Sequence, residues 1–322
     1  MKVAITGATG FVGSRLVQRL HGEGHQILVL TRNTAFAHKV FPSDAFPNLE
    51  IVAYTPTASG TWQSAIAGCD GVVNLAGEPI GEGRWTPERK QAILNSRKLG
   101  TQKVVEAIVN NTNPKTAVAT TEGTPATRCL PSVLVNASAI GYYGTSETAT
   151  FEETSPSGND FLAQVCQAWE AEAQKVKEAG VRLVILRFGI VLGNGGALGK
   201  MITPFKLFAG GPIGSGQQWF SWIHIDDIVS LILQALTKPE MEGVYNATAP
   251  NPVRMTDLSQ TLGQVINRPS WLPVPSFAIE ALLGDGAIVV LEGQKVLPKR
   301  TLNSGFKYQY PNLQPALSEI LK

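Results

Sequence analysis

The stretch TGATGFVGSRL at residues 6–16 is the clearest indication of the fold in this chain. It follows the strand-like run KVAIT at residues 2–6 and leads into a helix-like run. Gly7 permits a tight turn, Gly10 lets the backbone approach a pyrophosphate, and Gly13 lets the helix pack closely on the strand. The free N–H groups and the positive dipole end of the helix favour an anion. The residues expected to contact a dinucleotide are Gly7, Thr9, Gly10, Phe11, Val12 and Gly13.

Further along the chain, strand-like and helix-like runs alternate. The strand-like runs are continuous and rich in β-branched residues, as is typical of strands buried on both faces of a parallel sheet. Helical periodicity lies between them, notably at residues 87–109 and 160–179. This alternation predicts an α/β fold of the Rossmann type with a doubly wound parallel sheet. The expected strands lie at residues 2–6, 27–31, 50–54, 71–77, 132–138 and 181–187.

Composition shifts at residue 193 to glycine, proline and aromatic residues. We therefore predict a dinucleotide-binding Rossmann domain over residues 1–192, with the sheet revisited at about 221–250. Residues 193–220 and 251–322 are predicted to form a smaller C-terminal α/β lobe of the kind that binds substrate. Residues 110–131 are rich in Thr, Pro and Asn without periodicity, which predicts a surface insertion.

Bulk properties narrow the possible partners. A formal net charge of +2 over 322 residues gives no concentrated basic face for nucleic acid. Three cysteines and four histidines without metal-ligand spacing predict no metal site and a reducing compartment. No apolar run reaches about 18 residues, so we expect no membrane span. With no signal-peptide profile at the start, the expected location is cytoplasmic.

The second strand-like run ends in LVLTRN, which places Arg32 where NAD-binding proteins usually carry an acidic residue. A guanidinium suits a 2′-phosphate through bidentate hydrogen bonds. Arg32 therefore favours NADP(H) over NAD(H), the alternative being a solvated surface arginine. The fourth run ends in NLAGEPIG, whose small residues let a flat ligand lie against the backbone. The further residues expected near the cofactor or substrate are Leu75, Ala76, Gly77, Glu78 and Arg84, although an ion pair within the loop is an equal alternative for the last two.

With these residues in view, the chain resembles the extended short-chain dehydrogenase/reductase superfamily, and within it an atypical epimerase-like, or "cell-division inhibitor"-like, subgroup. The resemblance implies a Rossmann domain with NADP(H) and a small C-terminal lobe, and it runs from residue 1 to about 321. The motifs that carry it are TGATGFVG, NLAG, RWTPERKQAILNSRKLGT, ASAIGYYG, EETSPSG, LRFGIVLG, GGPIGSGQQWFSWIHIDD and VLPKRTLNSGFKYQYPNLQPAL.

The superfamily's catalytic pair is absent from this sequence. In the superfamily a tyrosine exchanges the substrate proton, and a lysine four residues later on the same helix face lowers its pKa. None of the six tyrosines here has a lysine four positions on. Alignment on EETSPSG places the tyrosine position at Phe161 or Leu162 and the lysine position at Val165 or Cys166.

Other polar residues remain as catalytic candidates. Ser138 ends the run SVLVNAS, where the superfamily serine is expected, and Tyr142 and Tyr143 follow in the next loop. A phenol without a nearby cation keeps a pKa near ~10 and is a poor base at neutral pH. Arg97, at a position where the superfamily often has asparagine, is expected to bring positive charge to the site. Packing and hydrogen bonding are the alternative role of the tyrosine pair.

Two functions follow from these features. The first is an NADP(H)-dependent oxidoreductase or isomerase that acts on a small polar molecule, with a nucleotide-sugar as one candidate, by a mechanism without the Tyr/Lys pair. The second is a non-catalytic NADP(H)-binding regulator, for example in cell or plastid division, which acts through a protein partner. Both functions are compatible with a homodimer.

Overall fold

A computed structural model of the chain describes residues 1–110 and 130–322. The strands are β1 (Lys2–Thr6), β2 (Gln26–Thr31), β3 (Leu49–Ala53), β4 (Gly71–Asn74), β5 (Val133–Ala139), β6 (Ser146–Phe151), β7 (Arg182–Phe188), β8 (Ile190–Leu192), β9 (Trp219–Phe220), β10 (Trp222–His224), β11 (Gly243–Ala247), β12 (Val253–Arg254) and β13 (Gln294–Val296). The helices are α1 (Phe11–Gly22), α2 (Thr34–Val40), α3 (Trp62–Ala65), α4 (Pro87–Asn110), α5 (Phe161–Gln174), α6 (Gly196–Lys206), α7 (Ile225–Thr237), α8 (Met255–Val265), α9 (Ser276–Leu283), α10 (Ile288–Leu291), α11 (Lys299–Asn303) and α12 (Leu313–Ile320).

Within these residues, seven strands form one parallel sheet in the order β11-β7-β5-β4-β1-β2-β3. Each of its faces is covered by helices. On β1, Val3 and Ile5 pack with α1 and α7, whereas Ala4 between them packs with α4 on the opposite face. This alternation is the two-residue period of a strand that is buried on both sides. The predicted Rossmann-type doubly wound sheet is confirmed.

The predicted strands and helices agree with the structure to within one residue at most of their ends, and two ends differ by more. Strand β4 ends at Asn74 rather than at Gly77, because the next residues turn out of the sheet at its carboxyl edge. The helix expected over residues 160–179 ends at Gln174 and continues as a 3-10 turn over Lys175–Ala179. Helix α7 begins at Ile225, where the His224 side chain caps the helix by accepting a hydrogen bond from the Asp226 backbone N–H at 3.1 Å.

A smaller C-terminal lobe packs around its own apolar core. This core contains Phe205, Phe220, Leu258, Leu262 and Leu317, each of them buried. The division of the chain into domains at residue 192 stays a prediction. The predicted insertion at residues 110–131 lies mainly outside the described residues.

Two general properties of the described ranges bear on partners. No helix in residues 1–110 and 130–322 is both long and apolar enough to cross a membrane. The same ranges contain no group of three His, Cys, Asp or Glu side chains arranged to hold a metal ion. Cys69 and Cys166 are buried free thiols.

Candidate functional site

The glycine turn between β1 and α1 has the geometry that a diphosphate requires. Gly7 adopts a φ of 69°, and the Gly10 N–H donates to its carbonyl oxygen at 3.0 Å. A Cβ at position 13 would lie 2.2 Å from the Gly7 carbonyl oxygen, so only glycine fits there without a shift of the backbone. Helix α1 starts after Gly10 with no side-chain cap, which leaves its first N–H groups for a ligand.

A loop of the C-terminal lobe lies against the turn. A Cβ at Gly193 would be 2.9 Å from the Phe11 ring, and one at Gly196 would be 3.1 Å from it. Gly196 also has a φ of 54°, which favours glycine. The predicted cofactor residue Phe11 therefore joins the glycine turn to the second lobe, a contact that the sequence reading missed.

A buried network shapes the carboxyl edge of the sheet next to this turn. The Thr6 hydroxyl donates to Asn74 Oδ1 at 2.7 Å and accepts from the backbone N–H groups of Leu75 and Ala76 at 3.1 and 3.2 Å. Asn74 Nδ2 in turn donates to Asn136 Oδ1 at 2.7 Å. These bonds bend the chain after β4 toward Gly7, where an added Cβ would lie 2.9 Å from the Leu75 carbonyl carbon. The structure thus brings Leu75 and Ala76 together with the glycine turn.

Beyond Gly77, three charged side chains form a cluster at the rim of the site. Glu78 accepts from Arg32 Nη1 at 3.2 Å and from Arg89 Nη1 at 3.1 Å. The Arg32 side chain is 70% exposed, whereas the Glu78 side chain is 27% exposed. Arg32 and Glu78 therefore form an ion pair that the sequence did not predict, and Arg32 stays accessible to a ligand. Arg89 adds a second cation that the sequence reading did not select.

The other two predicted arginines lie at different places. Arg97 donates to the Glu78 carbonyl oxygen at 3.0 Å and packs over the Trp169 ring at 5.2 Å, close behind Gly77. Burial lowers the pKa of Arg97. Arg84 donates to the carbonyl oxygen of Ala281 at 2.9 Å, so it binds the C-terminal lobe rather than the glycine turn.

Two of the catalytic candidates belong to a buried network. Ser138 donates to Glu170 Oε1 at 2.7 Å. Arg187 donates one hydrogen bond to each oxygen of the same carboxylate, both at 2.8 Å. Tyr143 accepts from Arg187 Nη1 at 2.9 Å and donates to Asn246 Oδ1 at 2.6 Å. Ser138, Tyr143, Glu170 and Arg187 are all less than 10% exposed. Internal partners thus use the hydroxyl groups of Ser138 and Tyr143.

Arg187 is the cation that the sequence search for a tyrosine partner missed. Burial alone lowers its pKa, but the hydrogen bonds and charge of Glu170 outweigh this and hold the pKa above its ordinary value. The guanidinium lies 3.3 Å from the centre of the Tyr142 ring, and Tyr142 is partly exposed. Burial raises the pKa of Tyr143 to about 12 despite Arg187, so its phenol stays protonated at neutral pH.

The catalytic-helix positions carry apolar side chains in α5, as expected. Phe161, Leu162 and Val165 pack with apolar residues of other elements, and Cys166 lies 3.7 Å from the Ala139 carbonyl oxygen. Burial raises the pKa of Cys166 to about 11, which opposes a nucleophilic role.

Aromatic residues of the second lobe divide between core and surface. Phe220 and Trp222 are buried in the lobe's core, whereas Trp219 is partly exposed. The Arg254 guanidinium lies 3.8 Å from the Trp219 ring, and Lys295 Nζ lies 4.9 Å from it. His224 is fully buried and meets Glu319 at 3.0 Å, which makes it a structural residue.

A doubly wound parallel sheet with this glycine turn at its carboxyl edge defines a Rossmann-type nucleotide-binding fold. Comparison with family models refines that class. The model for the NAD dependent epimerase/dehydratase family matches residues 3–248, and a domain of unknown function, DUF1731, matches residues 274–320. The chain belongs to the NAD dependent epimerase/dehydratase family and to its atypical epimerase-like subgroup, so the resemblance seen in the sequence is confirmed.

Individual relatives cover almost the whole chain. The chloroplastic "Epimerase family protein SDR39U1 homolog" of Arabidopsis thaliana is 52% identical, over 100% of this chain and 87% of the relative. "Epimerase family protein YfhF" of Bacillus subtilis is 38% identical, over 100% of this chain and 98% of the relative. The crystal structure of human epimerase family protein SDR39U1 with NADPH aligns with a TM-score of 0.82 and 35% identity, over 99% of both chains.

Proposed function

We propose that this protein binds NADP(H) at the carboxyl edge of its sheet and acts there on a small-molecule substrate. The observation that carries the proposal is the glycine turn with the uncapped start of α1, which lies beside Leu75 and Ala76. When bound, the nicotinamide supplies hydride transfer. The chain itself supplies N–H groups for the diphosphate, small residues that let the ligand approach, and cations at the rim.

Arg32 supports the preference for NADP(H) over NAD(H). It is the most exposed member of the cluster with Glu78 and Arg89, and it lies at the end of β2. A 2′-phosphate at this rim would meet two guanidinium groups and would compete with the Glu78 carboxylate for both. The NADPH in the human SDR39U1 structure supports the same assignment. A cytoplasmic location stays a prediction.

The variant Arg32→Asp tests this preference. We expect it to weaken NADPH binding by about 30-fold and NADH binding by less than about threefold, because only NADPH carries the phosphate that Arg32 would bind. Isothermal titration with both cofactors measures the two affinities. Arg19→Asp, at an arginine of α1 whose side chain is 49% exposed, is the matched control and should change neither. Equal losses for NADPH and NADH would contradict the assignment.

For the chemistry, we propose an enzyme in which Tyr142 is the remaining phenol that a substrate can reach. Ser138 and Tyr143 are buried and hydrogen-bonded inside the protein, whereas Tyr142 is partly exposed and lies against a cation. The same burial favours the second function, a non-catalytic NADP(H)-binding regulator acting through a protein partner. The two differ in whether bound NADPH is consumed.

Phenylalanine variants of the neighbouring tyrosines separate these functions. NADPH consumption is first screened against a panel of carbonyl compounds with the wild-type protein. On any compound that is turned over, Tyr142→Phe should lower kcat by about 100-fold if its phenol transfers the proton. Tyr143→Phe is the matched control and should affect mainly the unfolding temperature. Tight NADPH binding without turnover on the panel would support the regulator, and an unchanged kcat in Tyr142→Phe would remove Tyr142 from the reaction.

A further inference from the structure

Apolar side chains from four segments meet at the place of the missing catalytic pair. We call this group the α5 cluster. Trp85, Ile93 and Val165 are buried in it, and its other members are partly exposed, so it presents an apolar surface rather than a closed core. Its members are Ile80, Trp85, Ile93, Leu94, Phe161, Leu162, Val165, Ile288 and Val289.

The α5 cluster contacts two segments near the proposed site, the turn after β5 and the loop after β4. Leu162 packs on the strand-end turn after β5, where a Cβ at Gly141 would be 3.3 Å from the Leu162 Cβ. Phe161 meets the edge of the Trp85 ring at a centroid distance of 5.3 Å. The Trp85 indole N–H donates to the Ile80 carbonyl oxygen at 2.9 Å, so the loop after β4 holds the ring in place.

The C-terminal lobe completes the cluster. Ile288 and Val289 of α10 pack against it, and a Cβ at Gly286 would lie 3.0 Å from the Trp85 indole nitrogen. Two charged side chains at the margin have partners, including Lys90, whose Nζ lies 5.6 Å from the centre of the Phe161 ring. Lys90 pairs with Asp285 at 2.6 Å, and Arg84 donates to the backbone of the lobe.

Such a surface is unsuited to a sugar. A pyranose ring placed on it would lose water from its hydroxyl groups, and the cluster's side chains offer only the indole N–H, which already has an acceptor. An aliphatic or aromatic group placed there loses only unfavourable hydration. The polar substrate, and the nucleotide-sugar in particular, that the sequence suggested therefore does not match this part of the site.

We propose that the α5 cluster binds the apolar body of the substrate, so that the substrate is a small compound with an aliphatic or aromatic group beside its reactive carbon. This inference rests on the proposed function, since that function makes α5 the wall of a substrate site. It also explains why Phe161, Leu162 and Val165 replace the superfamily's polar pair. Phe161 and Leu162, which are partly exposed, form the wall that the substrate contacts, and Val165 packs beneath them.

A homologous series of ketones tests the substrate class. Binding of butan-2-one, hexan-2-one and octan-2-one to the full-length protein saturated with NADPH is measured by isothermal titration, with UDP-glucose as the polar probe. We expect the dissociation constant to fall by about fourfold per added methylene, as burial of apolar surface predicts. UDP-glucose should not bind measurably.

Two variants of the C-terminal lobe localise the effect. Val289→Asp places a charge in the cluster and should abolish the dependence on chain length. Phe277→Asp is the matched control, because Phe277 is 72% exposed on α9 and lies outside the cluster. It should leave the dependence unchanged. Circular dichroism and NADPH titration of each variant verify that the fold and the cofactor site persist.

The outcomes separate this inference from the proposed function. Saturable binding of UDP-glucose that is tighter than that of octan-2-one would overturn the apolar assignment, as would a chain-length dependence that survives Val289→Asp. Absence of ketone binding to a protein that binds NADPH would overturn it as well. If NADPH itself fails to bind, the proposed function is wrong, and the ketone series repeated without cofactor still decides whether the cluster is an apolar site.

Discussion

Replacement of Gly13 by valine is expected to weaken NADPH binding by more than about 100-fold, which corresponds to about 2.7 kcal/mol of binding free energy. The Cβ of the new side chain would lie 2.2 Å from the carbonyl oxygen of Gly7 and 2.7 Å from the Ala8 Cα. Both contacts are with backbone atoms, so the turn itself must move. Because the first N–H groups of α1 would bind the diphosphate only in that turn's geometry, we expect the site to be lost even if the sheet persists.

A second glycine on the same helix supplies the control for this prediction. Gly22 ends α1, and a Cβ there would meet no atom within 4 Å. Gly22→Val should therefore keep NADPH affinity within about threefold, since it adds the same side chain without a clash. Fluorescence titration with NADPH compares the variants, and far-ultraviolet circular dichroism verifies that both fold. NADPH affinity of Gly13→Val within a few-fold of wild type would contradict the assignment of the turn as the diphosphate site.

The glycine turn was predictable because its signal is local. Gly7, Gly10 and Gly13 lie within seven residues, and the strand before them and the helix after them are visible as neighbouring runs. The same holds for β2 and β7, whose continuous apolar runs indicate strands without knowledge of what they pair with. Local runs of apolar residues therefore predict the strands of the sheet. The exact ends of helices depend on capping residues such as His224, which is held in place by tertiary contacts.

The interior of the site was not predictable in this way, because its contacts join residues far apart in the chain. Tyr143 bonds Asn246 across 103 positions, and Lys90 pairs with Asp285 across 195. Neither partner shows a local pattern. The absence of a lysine four residues after any tyrosine is visible in the sequence itself. The cation that does lie beside Tyr142 and Tyr143, Arg187, is on a strand, where a search along the helix could not find it.

Glu170 and Arg187 form a buried ion pair next to the proposed site. Arg187 is 3% exposed and Glu170 is 7% exposed, and two parallel hydrogen bonds of 2.8 Å join them between α5 and β7. The carboxylate also accepts from Ser138, and the guanidinium donates to Tyr143. Because so many buried groups depend on this one pair, loss of either member leaves a charge and several hydrogen-bonding groups without partners.

We therefore expect Glu170→Leu and Arg187→Met each to lower the free energy of unfolding by about 3–5 kcal/mol, since each leaves the other charge buried and unpaired. The double variant removes both charges and should be less destabilised than the sum of the two by about 1–3 kcal/mol. Urea denaturation followed by circular dichroism gives the four values of the cycle. Arg19→Met is the control, because Arg19 pairs with Glu23 at an exposed position, and it should cost less than about 1 kcal/mol. Additive losses in the double variant would show that the two charges do not stabilise each other, and the tie between α5 and β7 would then rest on apolar packing alone.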